Sequence, residues 1–556
     1  MKKILLLTFI FALTGFIFGQ SVLEVPAADD QGNPIINALT KYVVADTNEA
    51  GQQLHDVYKL QRGKTYFYNQ SPVFKNPITL IADIPGNTNE TKPPKLLLTK
   101  TDEGEVPYEH CITTFANLTV KNIAFSTITV EGDYSWANAI LLQADGLRIQ
   151  LENCHFEFIG WGMIEAAVDN TTFIIDKCYI RNGTVLPDGD EWVPFFIEVD
   201  VGTVDTLIIR NSTFFNLQGS VINIEFQSPV KYFKFDHNTL INVVKGFSTS
   251  INAHLNSNIT NNIFYNVNAH GGLIEEIYTG DGDQILDGII SVDTLISNEP
   301  GAPDSLQFIM DEKDRQITLK NNVYFYSQGV KDYFAEFAAT VEAPKFMDTR
   351  AQSMFDNDAE WPNFISENNV DADPGFTNFG GTDDLVAKLR DHRLNSVFGF
   401  WAWDPDVAEY PEFHWAFLQW PQPEDLSYSA SFTSTDGYHV GSLQWYPDEL
   451  AEYEEKLTDV AIDYSPRPAE FSLEQNYPNP FNPSTKVNFT INKTGEVNLR
   501  IFNALGQQVM TLINNQILSP GAYNLDVDMS GQTSGVYFLV LKQQSSIQVK
   551  KMTLLK

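Results

Sequence analysis

The sequence predicts an all-β protein: a right-handed parallel β-helix built as a three-sheet solenoid, then a mixed, aromatic-rich capping region, then a small C-terminal β-sandwich. Three observations carry this prediction. The first is a repeat between Asn117 and Tyr326, in the strings NLTVKNIAF, LRIQLENCHF, TFIIDKCYI, TLIIRNSTF, YFKFDHNTL, SNITNNIF and QITLKNNVYF. With Ile123, Cys154, Cys178, Ser212, Asn238, Asn262 and Asn322 as anchors, the spacings are 31, 24, 34, 26, 24 and 60 residues, the range of a solenoid coil. The second is the period. Val120 and Leu118, Leu151 and Ile149, Ile175 and Phe173, Ile209 and Leu207 lie three and five residues before their anchors, the period of a strand with one face turned inward. The third is the corner. Inward parity flips at each anchor, and the residue before it is Asn122, Asn153, Lys177, Asn211, His237, Asn261 or Asn321. Asparagine is the non-glycine residue that best tolerates the left-handed backbone such a bend needs.

Taken in order, Met1-Lys2-Lys3 and the apolar run after it read as a secretory signal over residues 1–20. No stretch is long and apolar enough to read as a transmembrane span. Residues 21–56 are expected to cap the first coil, and 57–378 to form the β-helix. VYKLQRGKTYFY opens it with a turn at Gly63; ITLIADI and KLLLT follow. The 60-residue gap holds an insertion near 273–313, where Asp281, Asp283 and Asp287 resemble a fragment of a calcium loop without its full spacing. Residues 379–465 form the capping region, with Trp401, Trp403, Trp415, Trp420 and Trp445 either covering the open end or offering flat platforms to sugars. DYFAEFAATVE, TDDLVAKLRDHRL and PDELAEYEEKL read as helices. A linker at 466–470 leads to a module of alternating strands over 471–556.

The formal net charge is −35, which argues against nucleic acid, and against anionic polymers unless a divalent cation intervenes. Three cysteines form no disulfide framework. Cys154 and Cys178 hold the same position on adjacent coils, within bridging reach, although stacked buried thiols are the commoner outcome.

One constellation carries chemistry. Successive coils read AILLQAD, GMIEAAVD, FFIEVDV, VINIEFQ and STSINAH. With Leu142, Ile164, Ile197, Ile224 and Ile251 inward, Gln143, Glu165, Glu198, Glu225 and Asn252 make one outward file, with Asp200 and Gln227 two residues further on. Stacked glutamates about 4.8 Å apart repel one another, so the file calls for a bound cation, a shifted pKa or basic loops folded over it.

The coils with their asparagine corners resemble the pectate-lyase-like superfamily over roughly Val57 to Asn378. That resemblance implies that this sheet lines a substrate groove, with acidic residues holding calcium and an Arg or Lys as base. On that analogy Glu165, Glu198 and Glu225 are the catalytic candidates. Glu165, Glu198, Asp200 and Glu225 are the calcium ligands, and Gln143, Asp200, Gln227 and Asn252 the substrate contacts. No basic residue matches the family's position. The expectation is a secreted or cell-surface protein that binds or cleaves an extracellular polysaccharide, lyase-like by resemblance. The alternatives are a non-catalytic scaffold or adhesin, and a glycoside hydrolase using two glutamates. QNYPNPFNPSTKVNFTI, VNLRIFNALGQQVMTL and SGVYFLVLKQQSSIQVKKMTLLK closely resemble the sorting domain of the type IX secretion system, which implies export through that machinery.

Overall fold

The computed structural model describes residues 21–83, 93–183, 195–224, 228–248, 254–273, 287–292, 294–295, 312–376, 382–395, 434–459, 472–491, 495–503, 507–518, 521–543 and 546–556. Among them three parallel sheets dominate, of eleven, ten and seven strands. Neighbours within a sheet come from successive coils: Leu118–Lys121, Arg148–Glu152, Thr171–Asp176, Val204–Arg210 and Val230–Asp236 lie side by side in the eleven-stranded sheet. This is a parallel β-helix. The register follows the repeat, with Val120 opposite Leu151, Leu151 opposite Ile175, Ile175 opposite Ile209, and Ile209 opposite Phe235. Inside, Phe125, Phe156, Phe196, Phe214 and Phe235 are fully buried in one core that runs the length of the coils. Phe125 and Phe156 stack at 4.8 Å and 12°. Burying each such ring contributes about 1.5–3 kcal/mol.

The corner between the eleven- and ten-stranded sheets is the feature the repeat predicts. Asn122, Asn153, Asn211, Asn261 and Asn321 all have positive φ, from 49° to 63°, and Lys177 (55°) and His237 (52°) adopt the same conformation. The Asn153 side-chain amide donates to Asn122 Oδ1 at 2.6 Å. The anchors form a second, interior ladder, in which the backbone N–H groups of Ser212, Asn238, Asn262 and Asn322 donate to the Oδ1 atoms of Asn238, Asn262, Asn322 and Asn369 at 2.9–3.1 Å. A third ladder, not anticipated from the repeat, turns the chain from the ten-stranded to the seven-stranded sheet. It consists of Asn182, Asn216, Asn242 and Asn266, at φ 47° to 56°, with Asn266 donating to Asn242 and Asn242 to Asn216. The interior ladder satisfies backbone N–H groups that a bend would otherwise leave buried without partners.

The ends differ from a bare cap. Val22–Val25 pairs in parallel with Val57–Leu60, so the segment expected to cap the helix also supplies its first strand. Phe364–Glu367 and Val370–Asp371 supply the last. Helices occupy Thr382–Asn395 and Pro447–Asp459, as the patterns predict, whereas the helix expected over DYFAEFAATVE runs instead over Gln328–Glu336, and the last two residues of that string, Val341–Glu342, form a strand. Cys111, Cys154 and Cys178 are all free and buried. The stretch 434–446 straps the outside of the corner. Ser442 Oγ donates to the Asn211 carbonyl and the Gln444 amide to the Lys177 carbonyl, while Trp445 Nε1 donates to Thr213 Oγ1. Asp436 meets the His237 imidazole at 3.2 Å, which accounts for a histidine in the corner file. Residues 1–20, Asp281, Asp283, Trp401, Trp403, Trp415 and Trp420 lie outside the described residues.

The chain divides into two compact units at Leu450. The second holds antiparallel sheets of three and four strands around Val487, Phe489, Leu499, Ile501, Leu539, Leu541 and Met552, the predicted β-sandwich. No helix among the described residues is long and apolar enough to cross a membrane.

Candidate functional site

The seven-stranded sheet carries the predicted acids. Its central strands are Ile112–Thr114, Ile140–Leu142, Ile164–Ala166, Ile197–Val199 and Ser220–Ile224. Ile112, Ile140, Ile164, Ile197 and Ile222 share one rank and are fully buried. The next rank is therefore Thr113, Leu141, Glu165, Glu198 and Asn223. Glu165 and Glu198 stand directly opposite one another, as expected.

The rest of the expected file needs correction. Ile197 pairs with Ile222, so Asn223, and not Glu225, stands opposite Glu198. Likewise Ile140, and not Leu142, pairs with Ile164, which puts Gln143 two residues out of the glutamate rank. Gln143 is exposed, and its backbone N–H donates to the Thr114 carbonyl. Asp200 follows Val199 and is half-buried, its N–H donating to the Ala166 carbonyl. Glu225, Gln227 and Asn252 lie outside the described residues.

Around the two glutamates the structure assembles groups that no repeat announces. The Asn138 side-chain amide donates to Glu165 Oε2 at 2.7 Å and to the Gly162 carbonyl at 2.8 Å. The Asn138 backbone N–H donates to His110 Nδ1 at 3.0 Å, so that ring nitrogen is an acceptor, as in a neutral imidazole. Burial holds the His110 pKa below its ordinary value. Glu198 is 2% exposed, with the Asn223 amide 3.5 Å from its Oε1. Gly162 makes this position possible: a Cβ there would lie 2.6 Å from Glu198 Oε2.

Burial raises the Glu165 carboxyl pKa; the Asn138 amide opposes that shift and the Asp200 charge adds to it. Tyr108, largely exposed, has its phenol pKa raised by partial burial and then by the charges of Glu165 and Glu198. Its ring meets His110 edge-on at 5.4 Å. The segments leading into the same strands bring Trp136, Trp161 and Phe195 together, the two indoles 6.0 Å apart at 60°. Trp161 directly precedes Gly162, so the aromatic cluster and the carboxylates share one short piece of backbone.

Two opposed carboxyls, amide donors and an adjoining aromatic cluster can accept hydroxyl protons and stack against an apolar ring face. Among the described residues no group of three or more His, Cys, Asp or Glu side chains is arranged to hold a metal ion. Asp287, from the suspected calcium-loop fragment, is buried and instead accepts from Thr349 Oγ1 at 2.8 Å. The loop residues Asn138, Tyr108, Trp136, Trp161 and Phe195 were outside the sequence-based expectation because the connections that hold them vary in length from coil to coil. Their one signal is position, immediately before the strands of this sheet.

No curated protein matches this chain. Residues 475–554 match the family model of the secretion system C-terminal sorting domain, which agrees with the antiparallel sandwich of the second unit. That unit is a type IX secretion sorting domain, and the protein is exported to the cell surface or beyond it.

Proposed function

We propose that the exported β-helix binds an extracellular polysaccharide along its seven-stranded sheet. Glu165 and Glu198 are the central polar contacts, and Tyr108, Trp136, Trp161 and Phe195 the aromatic ones. The observation that carries this reading is the placement of an opposed, largely desolvated carboxyl pair near aromatic side chains on one sheet of a surface-delivered solenoid. Buried like charges are destabilising, and a hydroxyl-rich ligand offers the donors that offset this cost.

A second reading, hydrolysis, is favoured by the raised Glu165 carboxyl. A carboxylic acid that keeps its proton to higher pH can protonate a glycosidic oxygen while a second carboxylate acts as nucleophile or base. Lyase chemistry, expected from the resemblance, needs a base to remove the proton next to a uronate carboxyl, and the sheet's strands contain no lysine or arginine to supply it. The test is a glycan panel scored for binding, for new reducing ends and for unsaturated ends. Retention of one glycan class, abolished in Glu198→Gln, supports binding, and reducing ends lost in Glu165→Gln support hydrolysis. A protein that retains no glycan leaves the β-helix as a scaffold or adhesin.

A further inference from the structure

We propose that the seven-stranded sheet selects glycans without anionic groups, either neutral or amino-bearing chains, and rejects uronate and sulfated polymers. The proposal rests on the glycan-binding reading above and adds the charge class of its ligand.

The argument begins with where the bases are. The strands of the eleven-stranded sheet hold Lys59, Lys121, Arg148, Arg210, Lys231, Lys234 and Lys320. Six of these are ion-paired along the same sheet or its edge: Lys59 with Asp83, Lys121 with Glu152, Arg210 with Asp176, Lys231 with Asp205, Lys234 with Asp236 and Lys320 with Glu367. The strands of the seven-stranded sheet hold no lysine or arginine at all. The stretches 184–194, 225–227 and 249–253 contain none either, and the two lysines that directly flank the sheet's strands, Lys75 and Lys245, adjoin its two edge strands and not those of Glu165 and Glu198.

The histidine nearest the pair adds no positive charge. His110 Nδ1 accepts from the Asn138 N–H, and the ring is buried. The groups gathered here are therefore the part-exposed Glu165 and Asp200, the buried Glu198, the exposed Tyr108 and two part-exposed indoles. A uronate or sulfate brought here would lose its water and meet like charge with no basic side chain on the sheet to offset it. A neutral sugar gives its hydroxyl protons to the carboxylates and its C–H face to the rings, and a protonated amine adds attraction.

The experiment measures retention of the full exported chain on soluble polymers of matched length: a neutral glucan and xylan, chitosan, polygalacturonate and a sulfated galactan. It is run in chelator and again with added calcium. The expected result is at least tenfold tighter binding to the neutral or amino-bearing chains than to either anionic one, with chitosan binding weakening as salt rises. Glu165→Gln and Glu198→Gln, each checked for a parental melting profile, should reduce the salt dependence on chitosan and narrow the discrimination against polygalacturonate. Tighter binding to polygalacturonate or the sulfated chain, in chelator or in calcium, overturns this proposal while the glycan-binding reading stands. Failure to bind any polymer overturns both.

Discussion

Two buried glutamates of neighbouring coils show how one fold treats the same side chain in opposite ways. Glu157 projects from the ten-stranded sheet, where Arg181 on the adjacent strand donates from Nε at 2.8 Å and from its terminal nitrogen at 3.2 Å, and Asn182 adds a third bond at 2.9 Å. Glu198 projects from the seven-stranded sheet and is just as buried, but stands between Glu165 and Asn223. The first carboxylate is neutralised within the protein and belongs to the fold. The second is buried with another acid on the adjacent strand and an amide donor from Asn223, and like charges so placed repel. On the proposed reading the comparison separates a structural acid from a ligand-binding one on the same solenoid, and it is experimentally vulnerable.

The largest effect is expected at the first site. Arg181→Met or Glu157→Gln leaves an uncompensated charge in the wall and should cost about 3–5 kcal/mol. Glu198→Gln should change stability by less than about 1 kcal/mol, since it removes a charge and keeps the shape. Denaturant melts of all three variants decide the matter, and equal losses would end the distinction. A smaller effect is expected from Gly162→Ala. Its new Cβ meets the tip of Glu198, which can swing aside, so the stability cost should be about 1 kcal/mol. Glycan retention should fall sharply, because the displaced carboxylate no longer faces Glu165. A Gly162→Ala protein that binds as well as the parent would remove Glu198 from the site.

The corner and the seven-stranded sheet were not equally legible in the sequence, and the reason is physical. The corner demands a rare backbone conformation, and asparagine marks it coil after coil, so Asn122, Asn153, Asn211, Asn261 and Asn321 could be placed from the repeat alone. Even the third ladder was readable, because Asn182, Asn216, Asn242 and Asn266 each lie four residues past an anchor. The seven-stranded sheet carries no such mark. Its strings alternate with period two, and that pattern is unchanged by a slip of two residues, so in VINIEFQ either Ile222 or Ile224 satisfies it. Only pairing decides, and pairing chose Ile222, putting Asn223 where Glu225 was expected. Glu165 and Glu198 survived because their strands carry one glutamate each at the same parity. Asn138, Tyr108 and the indoles lie in connections with no period to follow.

The smallest effect, and the sharpest, is the pH dependence of Glu165→Gln. In the folded protein burial raises the Glu165 carboxyl, with Asp200 adding to the shift and the Asn138 amide opposing it. A carboxyl that binds its proton more tightly when folded costs nothing below its unfolded pKa of about 4.3. It destabilises the fold increasingly as pH rises through the higher folded value. Glutamine keeps an acceptor for the Asn138 amide but cannot ionise. The variant should therefore melt with the parent near pH 4 and about 1–3 °C above it at pH 8. Neutral glycan at saturating concentration should shrink that gap, because hydroxyl donors stabilise the ionised parent and not the variant. A gap that is the same at both pH values would mean Glu165 is an ordinary surface acid, and the contrast with Glu157 would no longer mark a site.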